Sequence, residues 1–184
     1  MQSTFSLQSS AITNFLQQHS EHVTNLAVAH TCYKTYEQDK AGMQHIVARA
    51  KRDCTIFRNN LNTKLYGGNK SRRRPLLYQP LILATLEGSL VNTDRDLTLH
   101  YNFAIGNLPK GLADAEFQCI FRECWVVNAK QRDNIWHENV AGDSEAAKGW
   151  IGYSLKEMQS KGNIEAWDFV NTQIPYQAFS ADLS

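Results

Sequence analysis

The sequence lacks several features that would assign the chain to a common class of protein. No apolar run approaches the length of a membrane span, and the opening "MQSTFSLQSS" has neither the basic nor the apolar region of a signal peptide. The cysteines show no CxxC spacing, so neither a zinc site nor a disulfide framework is indicated. No GxxxxGKS or GxxxxGKT phosphate-binding loop occurs, so nothing indicates an ATPase or helicase in this chain. These absences predict a cytoplasmic protein with reduced thiols and no membrane association.

The order of predicted elements favours an α+β fold. At 184 residues, one domain is the expectation. Apolar periodicity predicts, in order, a helix over 4–20, a strand over 22–33, a helix over 38–65, strands over 77–91 and 96–106, a helix around "FQCIFRECW", a short strand at "NIWHENV" and a helix over "DSEAAKGWIGYSLKEMQSK". The order β-α-β-β-α-β-α predicts a ferredoxin/RRM-like antiparallel sheet with an added C-terminal helix.

Positive charge is concentrated in one part of the chain, although the net charge is only +1. Between Arg49 and Arg74 the only acidic residue is Asp53, and the segment ends in "NKSRRRP". Such a segment can bind phosphate groups or can simply be a solvated surface. The candidate nucleic-acid contacts are Arg49, Arg52, Arg58, Lys64, Lys70, Arg72, Arg73 and Arg74.

The stretch "LTLHYNFAIG", residues 97–106, alternates apolar and polar side chains, as a strand with two different faces does. A hairpin centred in the turn "NTDR" pairs it with the preceding strand, placing Glu87 opposite His100 and Thr85 opposite Asn102. The same register gathers the apolar residues of both strands on the other face. A slip of one residue would mix the two faces, which supports this register.

The hairpin register predicts that Glu87, His100 and Asn102 approach one another on the polar face. Directly opposed side chains lie about 5 Å apart at Cβ, so these three could bind one cation. Carboxylate oxygen, imidazole nitrogen and amide oxygen suit Mg²⁺ or Mn²⁺ better than a structural zinc ion. The alternative interpretation is a polar, solvated sheet face on which a histidine and a glutamate meet by chance.

The last predicted helix has two distinct sides. Ile151, Leu155 and Met158 lie in one apolar stripe, whereas Tyr153 and Lys156 share a face on the opposite side. The helix therefore presents a phenol and an ammonium group together, away from its own core contact. An exposed tyrosine near a lysine is common, so this pair gains meaning only beside the hairpin.

The combination of "LTLHYNFAIG" with the downstream "GWIGYSLKEM" resembles the HUH endonuclease superfamily, specifically the single-tyrosine rolling-circle replication initiators of plasmids and phages. That family carries a His-hydrophobic-His strand motif and a later YxxK helix on a β-α-β-β-α-β scaffold. The likeness spans about residues 22–172, with "HVTNLAVAHT" as a loose match to the first motif. It implies a single endonuclease domain over 1–184, with helix 4–20 and tail 173–184 as accessory parts.

The resemblance assigns a role to each candidate residue. Tyr153 matches the nucleophilic tyrosine and Lys156 the lysine that assists at the phosphate. His100 matches the first histidine of the metal motif, and Glu87 matches an acidic metal ligand that some members supply from the preceding strand. Asn102 stands where the second histidine belongs; related viral initiators have Gln there, although Asn is shorter.

The resemblance implies a nicking and strand-joining enzyme that uses Mg²⁺ or Mn²⁺ and forms a 5′-phosphotyrosine link. The expected substrate is single-stranded or hairpin DNA at a replication origin in a bacterial host, bound through the basic segment. The resemblance also admits a host helicase as a partner. Two alternatives stay open: a relaxase or tyrosine transposase with the same chemistry, and a noncatalytic RRM-like nucleic-acid-binding module, which would need aromatic side chains exposed on its sheet.

Overall fold

A computed structural model describes residues 4–36, 38–89 and 97–175 and has an α+β fold built on a four-stranded antiparallel sheet. The strands are β1 (Val23–Lys34), β2 (Leu81–Glu87), β3 (Thr98–Gly106) and β4 (Ile135–Asn139), in the spatial order β2-β3-β1-β4. The helices are α1 (Thr4–Gln17), α2 (Lys40–Tyr66), α3 (Gly68–Arg73), α4 (Asp114–Arg122), α5 (Ser144–Ser154) and α6 (Lys156–Lys161). A π-helical turn, Glu123–Asn128, extends α4.

The predicted hairpin register is confirmed. Strand β2 pairs with β3 so that Glu87 lies opposite His100 and Thr85 lies opposite Asn102. Strand β2 is shorter than the predicted 77–91, because it begins after Pro80, which has no backbone N–H to donate to the sheet. The predicted turn "NTDR" lies outside the described residues.

The two faces of the sheet carry separate hydrophobic clusters. On one face, α2, α4 and the π-helical turn cover a cluster centred on Phe57, Tyr101, Phe103 and Trp125. On the other face, α1, α5 and α6 cover a smaller cluster that includes Ala104. Because side chains alternate along β3, His100 and Asn102 share the face of Ala104. The apolar residues of α5 cover this face of β3 only as far as Ala104. Towards the start of β3, the same face carries polar side chains.

The prediction of one continuous helix over "DSEAAKGWIGYSLKEMQSK" is wrong. The chain leaves the helical conformation at Leu155 (φ −95°, ψ 9°), which separates α5 from α6. Ser154 Oγ donates to the carbonyl of Ile151 at 3.0 Å, and such side-chain bonds to a helix carbonyl compete with the helical ladder and bend it. The apolar and polar sides are nevertheless as predicted, because Ile151, Leu155 and Met158 are all buried.

The long helix ends where the sequence predicts, and the basic segment continues beyond it. Helix α2 stops at Gly67, whose φ of 79° suits glycine, as the sequence indicates. The residues after Gly67 then form the short helix α3. Ser71 is buried in α3, and its hydroxyl donates to the carbonyl of Gly67 at 3.1 Å, which holds this turn against α2.

The segment after α6 packs against strand β2 and the core. Gln173 pairs with Ile82, and Trp167 pairs with Thr85, along the outer side of β2. Between them the buried Asp168 carboxylate accepts hydrogen bonds from Tyr101 Oη at 2.7 Å and from the Asn171 side chain at 2.6 Å. Among the described residues, no helix is both long and apolar enough to cross a membrane.

Candidate active site

Glu87, at the end of β2, is the centre of a cluster of polar side chains. Its Oε2 lies 3.3 Å from His100 Nε2 and accepts a hydrogen bond from Asn102 Nδ2 at 3.1 Å. Its Oε1 lies 2.6 Å from the ammonium nitrogen of Lys156. The structure therefore brings together the three predicted metal-ligand candidates and one of the two predicted catalytic residues.

Tyr153 joins this cluster through Lys156. Lys156 Nζ donates a hydrogen bond to Tyr153 Oη at 2.7 Å while it also contacts Glu87. Tyr153 is 54% exposed, so its hydroxyl is accessible from solvent. The two residues lie on either side of the break at Leu155, which lets α6 begin with Lys156 pointed towards the sheet. All five residues predicted for the catalytic and metal sites thus form one connected group.

The charge distribution of the group is well defined. Burial alone would raise the pKa of Glu87, but hydrogen bonds from His100, Lys156 and Asn102 outweigh it and lower that pKa to about 2. Burial also opposes the charged form of Lys156, yet its contacts with Glu87 and Tyr153 raise its pKa above the ordinary value. Near neutral pH the pair is therefore a carboxylate and an ammonium ion, and Lys156 does not act as a base.

The cluster opens into a cavity of about 480 Å³ that carries aromatic side chains on one side. Its lining comprises Val28, Glu87, His100, Asn102, Trp136, Trp150 and Tyr153. Trp136 stacks on Trp150 with ring centroids 5.3 Å apart, and Trp150 lies 6.0 Å from the Tyr153 ring. Sequence reasoning missed both tryptophans. The spacing of three between Trp150 and Tyr153 could have indicated a shared helix face, whereas nothing local links Trp136 to them.

The side chains of the polar cluster are of the types that bind Mg²⁺ or Mn²⁺, but they are few in number. Among the described residues, no three His, Cys, Asp or Glu side chains form a metal-binding group. Glu87 and His100 supply one carboxylate and one imidazole, so a third protein ligand has to be the Asn102 amide, whose oxygen and nitrogen exchange places by a simple flip. The donor set of oxygen and nitrogen atoms fits a hard divalent cation and leaves positions for water or phosphate oxygens.

A second histidine, which the sequence analysis did not single out, lies beside the cluster. His30 in β1 pairs with His100 in β3, and their rings stack with centroids 5.2 Å apart. His30 Nδ1 lies 3.2 Å from Thr98 Oγ1. Burial, followed by the nearby His100 and Arg132, lowers the pKa of His30. The only sequence signal was that His30 belongs to the loose first motif, "HVTNLAVAHT".

The basic residues of α2 and α3 do not join the cluster. Helix α2 covers the opposite face of the sheet from α5 and α6. Several of its basic side chains have partners in the fold: Lys64 pairs with Glu123 at 2.8 Å, and Arg49 stacks over the Tyr33 ring at 5.1 Å. Arg58 donates to the carbonyl of Val170. The nucleic-acid prediction for this helix therefore concerns a surface separate from Tyr153.

The exposed basic side chains lie mainly on and beside α3. Arg73 and Arg74 are exposed, and Arg72 donates to the carbonyl of Gly68 at 2.8 Å. Arg58 and Arg72 line a polar groove of about 540 Å³ between α2, α3 and the start of β2. The other basic candidates are also near the surface, with Lys70 over the Tyr78 ring at 5.7 Å and Arg52 3.9 Å from Asp53.

Comparisons with known proteins do not add a family to this description. No protein-family model matches the chain, and neither a curated protein nor a solved structure shows significant similarity to it. The proposed function therefore rests on the site itself.

Proposed function

We propose that this protein is a metal-dependent, single-strand DNA nickase and strand transferase of the rolling-circle initiator type in the HUH endonuclease superfamily. The observation that carries the proposal is the hydrogen-bonded chain from Tyr153 through Lys156 to Glu87, with His100 and Asn102 on the same carboxylate. An accessible phenol, a fixed ammonium group and a set of hard-cation ligands meet at one cavity, which is the arrangement that phosphodiester transfer to a tyrosine requires.

The architecture supports the same proposal. In the spatial order β2-β3-β1-β4, strands β1 and β3 are central and the two strands of the hairpin are neighbours. This order agrees with a ferredoxin-like β-α-β-β-α-β scaffold, with α5 and α6 as the added YxxK segment. The candidate metal ligands then lie on the hairpin and the nucleophile on the later helix, as the resemblance implies.

The proposed reaction is attack of Tyr153 Oη on a phosphorus atom of the DNA backbone. A tyrosine-phosphorus bond forms, the bond from phosphorus to the 3′ oxygen breaks, and that oxygen leaves as a 3′-hydroxyl. The phenolic proton is released to solvent and the leaving oxygen takes one up, so water is not consumed. Because the phosphotyrosine link is itself a phosphodiester, attack by another 3′-hydroxyl rejoins a strand without ATP.

Lys156 and the Glu87 cluster have complementary parts in this reaction. The Lys156 ammonium donates to Tyr153 Oη, which stabilises negative charge that develops on the phenol oxygen. Glu87, His100 and Asn102 would hold Mg²⁺ or Mn²⁺, which when bound supplies Lewis-acid stabilisation of charge on the phosphate. Glu87 also keeps Lys156 in position through its Oε1.

Two other functions share parts of this site. A relaxase or tyrosine transposase would use the same residues and the same chemistry, so the geometry does not separate it from a replication initiator. A noncatalytic nucleic-acid-binding module is the alternative from another class. On the hairpin, Tyr101 and Phe103 are buried in the core, which disfavours base stacking on that face of the sheet.

The experiment that tests the proposal is the formation of a covalent adduct. With Mn²⁺ and a pool of single-stranded DNA containing many sequences, we expect a protein-DNA adduct that survives SDS. Tyr153→Phe removes one exposed oxygen, so folding and DNA affinity should persist while the adduct disappears. Tyr36→Phe, which changes a tyrosine on the strand-to-helix connection, is the matched control and should keep the adduct.

Two outcomes would count against the proposal. An adduct that persists in Tyr153→Phe would mean that another nucleophile acts. A broad pool that binds without forming any adduct would favour the noncatalytic binding module.

A further inference from the structure

At the aromatic side of the active-site cavity, Trp136 belongs to neither hydrophobic cluster, whereas Trp150 packs against the smaller one. Trp136 lies on β4 and is 43% exposed, so part of its ring is open to solvent. Its ring faces that of Trp150 at 5.3 Å with only 27° between the planes, and Trp150 continues to Tyr153 at 6.0 Å. The three rings form an aromatic ladder, here defined as Trp136, Trp150 and Tyr153, that runs from the sheet edge to the candidate nucleophile.

The ladder is fixed to the same sheet face as the polar cluster. Trp136 pairs with Val28 in β1, and Val28 pairs with Asn102 in β3, so these residues lie in one row across the sheet. Neighbouring strands are about 4.8 Å apart, which places Trp136 about 10 Å from Asn102 along that row. The cavity therefore has a polar end at Glu87, His100 and Asn102 and an aromatic end at Trp136, and Val28 lies between them.

The aromatic end lies close to a positive charge. Trp150 is near the Tyr153 ring, and Lys156 Nζ lies 3.9 Å from the centroid of that ring and 2.7 Å from its hydroxyl. A planar group joined to a phosphate could therefore stack on the exposed indole while its phosphate meets Lys156.

We infer that the aromatic ladder is a stacking site for a base of single-stranded DNA, next to the nucleotide whose phosphate meets Tyr153. This inference rests on the proposed function for the identity of the ligand. Nucleobases have an apolar π-face that stacks on an exposed indole, and in a strand each base is joined to a phosphate of the kind that would meet Tyr153. A duplex hides both faces of every base, so the site selects single-stranded or locally melted DNA.

The inference is tested by measuring binding with and without bases. A fluorescein-labelled pool of random single strands, about 12 nucleotides long, and an abasic oligomer of the same length are titrated with protein carrying Tyr153→Phe, which retains the ring but cannot form an adduct. Trp136→Leu in this background should weaken binding of the pool about 5- to 100-fold, in line with the loss of one base-aromatic stack. The abasic oligomer should bind weakly and equally to both proteins.

Control variants separate stacking from general damage. Phe169→Ala removes another exposed aromatic side chain, which contacts Trp167 and lies outside the ladder, and should leave binding of the pool unchanged. Trp136→Phe keeps a smaller ring and should give intermediate affinity. Thermal melting checks that each variant is folded.

Three results would overturn the inference: equal binding of the pool by Trp136→Leu and its parent, equal binding of base-bearing and abasic strands by the parent, or no binding of the pool by the parent at low salt. Preference for RNA of the same length would overturn the assignment to DNA. Failure of the inference is distinguishable from failure of the proposed function. If the protein forms the Tyr153 adduct but Trp136→Leu does not weaken DNA binding, the stacking site is absent. If binding depends on Trp136 but no adduct forms, the protein is a binding module.

Discussion

His30 in β1 and His100 in β3 lie directly opposite each other, and their imidazole rings are stacked. The stack restricts the orientation of His100, whose Nε2 points at Glu87. His30 therefore acts as a positioning residue for a candidate metal ligand. Such outer partners commonly change metal affinity by 10- to 100-fold when removed.

We expect His30→Ala to weaken Mn²⁺ binding about tenfold, because the His100 ring loses the surface against which it packs. His30→Phe retains a flat ring and should bind Mn²⁺ nearly as the wild type does. Isothermal titration of Mn²⁺ into each protein measures this, with His45→Ala on the exposed side of α2 as the control. Equal losses in His30→Ala and His30→Phe would show that an imidazole nitrogen of His30 is needed instead of its ring.

Asn102 is the position at which the chain departs from the His-hydrophobic-His pattern. Its side chain is 2% exposed and lies beside Glu87, so a ligand atom placed here would lie next to that carboxylate. Asn102→His should raise Mn²⁺ affinity on the order of tenfold and increase nicking, since imidazole is the stronger ligand. Asn102→Leu, which has no donor atom, should lower both. An Asn102→His variant that is no better than wild type would mean that the amide suffices or has another role.

The exposed arginines at the end of α3 and just after it test the predicted role of the basic segment. Charge reversal at Arg72, Arg73 and Arg74 should weaken DNA binding about equally across sequences. For every phosphate that the variant no longer neutralises, the slope of log K against log salt should decrease by about 0.7 for a single strand. Lys40→Glu, at the other end of α2, serves as a control. If affinity and salt slope survive the triple change, the segment is a solvated surface and the DNA follows another path.

His137 gives the fold a defined response to acid. Burial lowers the pKa of His137, although the nearby Asp114 acts in the opposite direction. Below the ordinary histidine value of 6.5, the unfolded chain binds a proton that folded His137 does not, so the free energy of unfolding falls as the pH falls. His137→Gln should flatten this dependence below about pH 6.5 in urea titrations, whereas His45→Gln should not. If the free energy of unfolding of His137→Gln changes with pH as that of the wild type does, other groups cause the pH dependence.

The parts of the site that the sequence predicted are those set by local periodicity. The alternation in β3 and one turn determine the pairing of Glu87 with His100, and helical spacing determines that Tyr153 and Lys156 share a side. The resemblance, and not any local pattern, suggests that these two pairs of residues meet. The folded structure adds the contact between Lys156 and Glu87 that joins them.

The remaining parts depend on pairing between distant strands. His30 meets His100 only because β1 lies beside β3, and Trp136 meets Trp150 only because β4 lies on the other side of β1. No local pattern encodes either neighbour. Beside the break at Leu155, Ser154 Oγ donates to the carbonyl of Ile151, and apolar periodicity carries no information about such a side-chain hydrogen bond.

The segment that follows α6 also determines how the sheet meets other molecules. Ile82 exchanges backbone hydrogen bonds with Gln173 at 2.9 and 2.8 Å, and the carbonyl of Ala84 accepts from the amide of Asp168 at 3.1 Å. The rim of β2 is therefore already occupied by the protein's own chain, while the opposite rim, β4, is only 5 residues long. Unpaired strand rims template self-association, so a chain cut before Trp167 should form aggregates even though its candidate catalytic residues are intact.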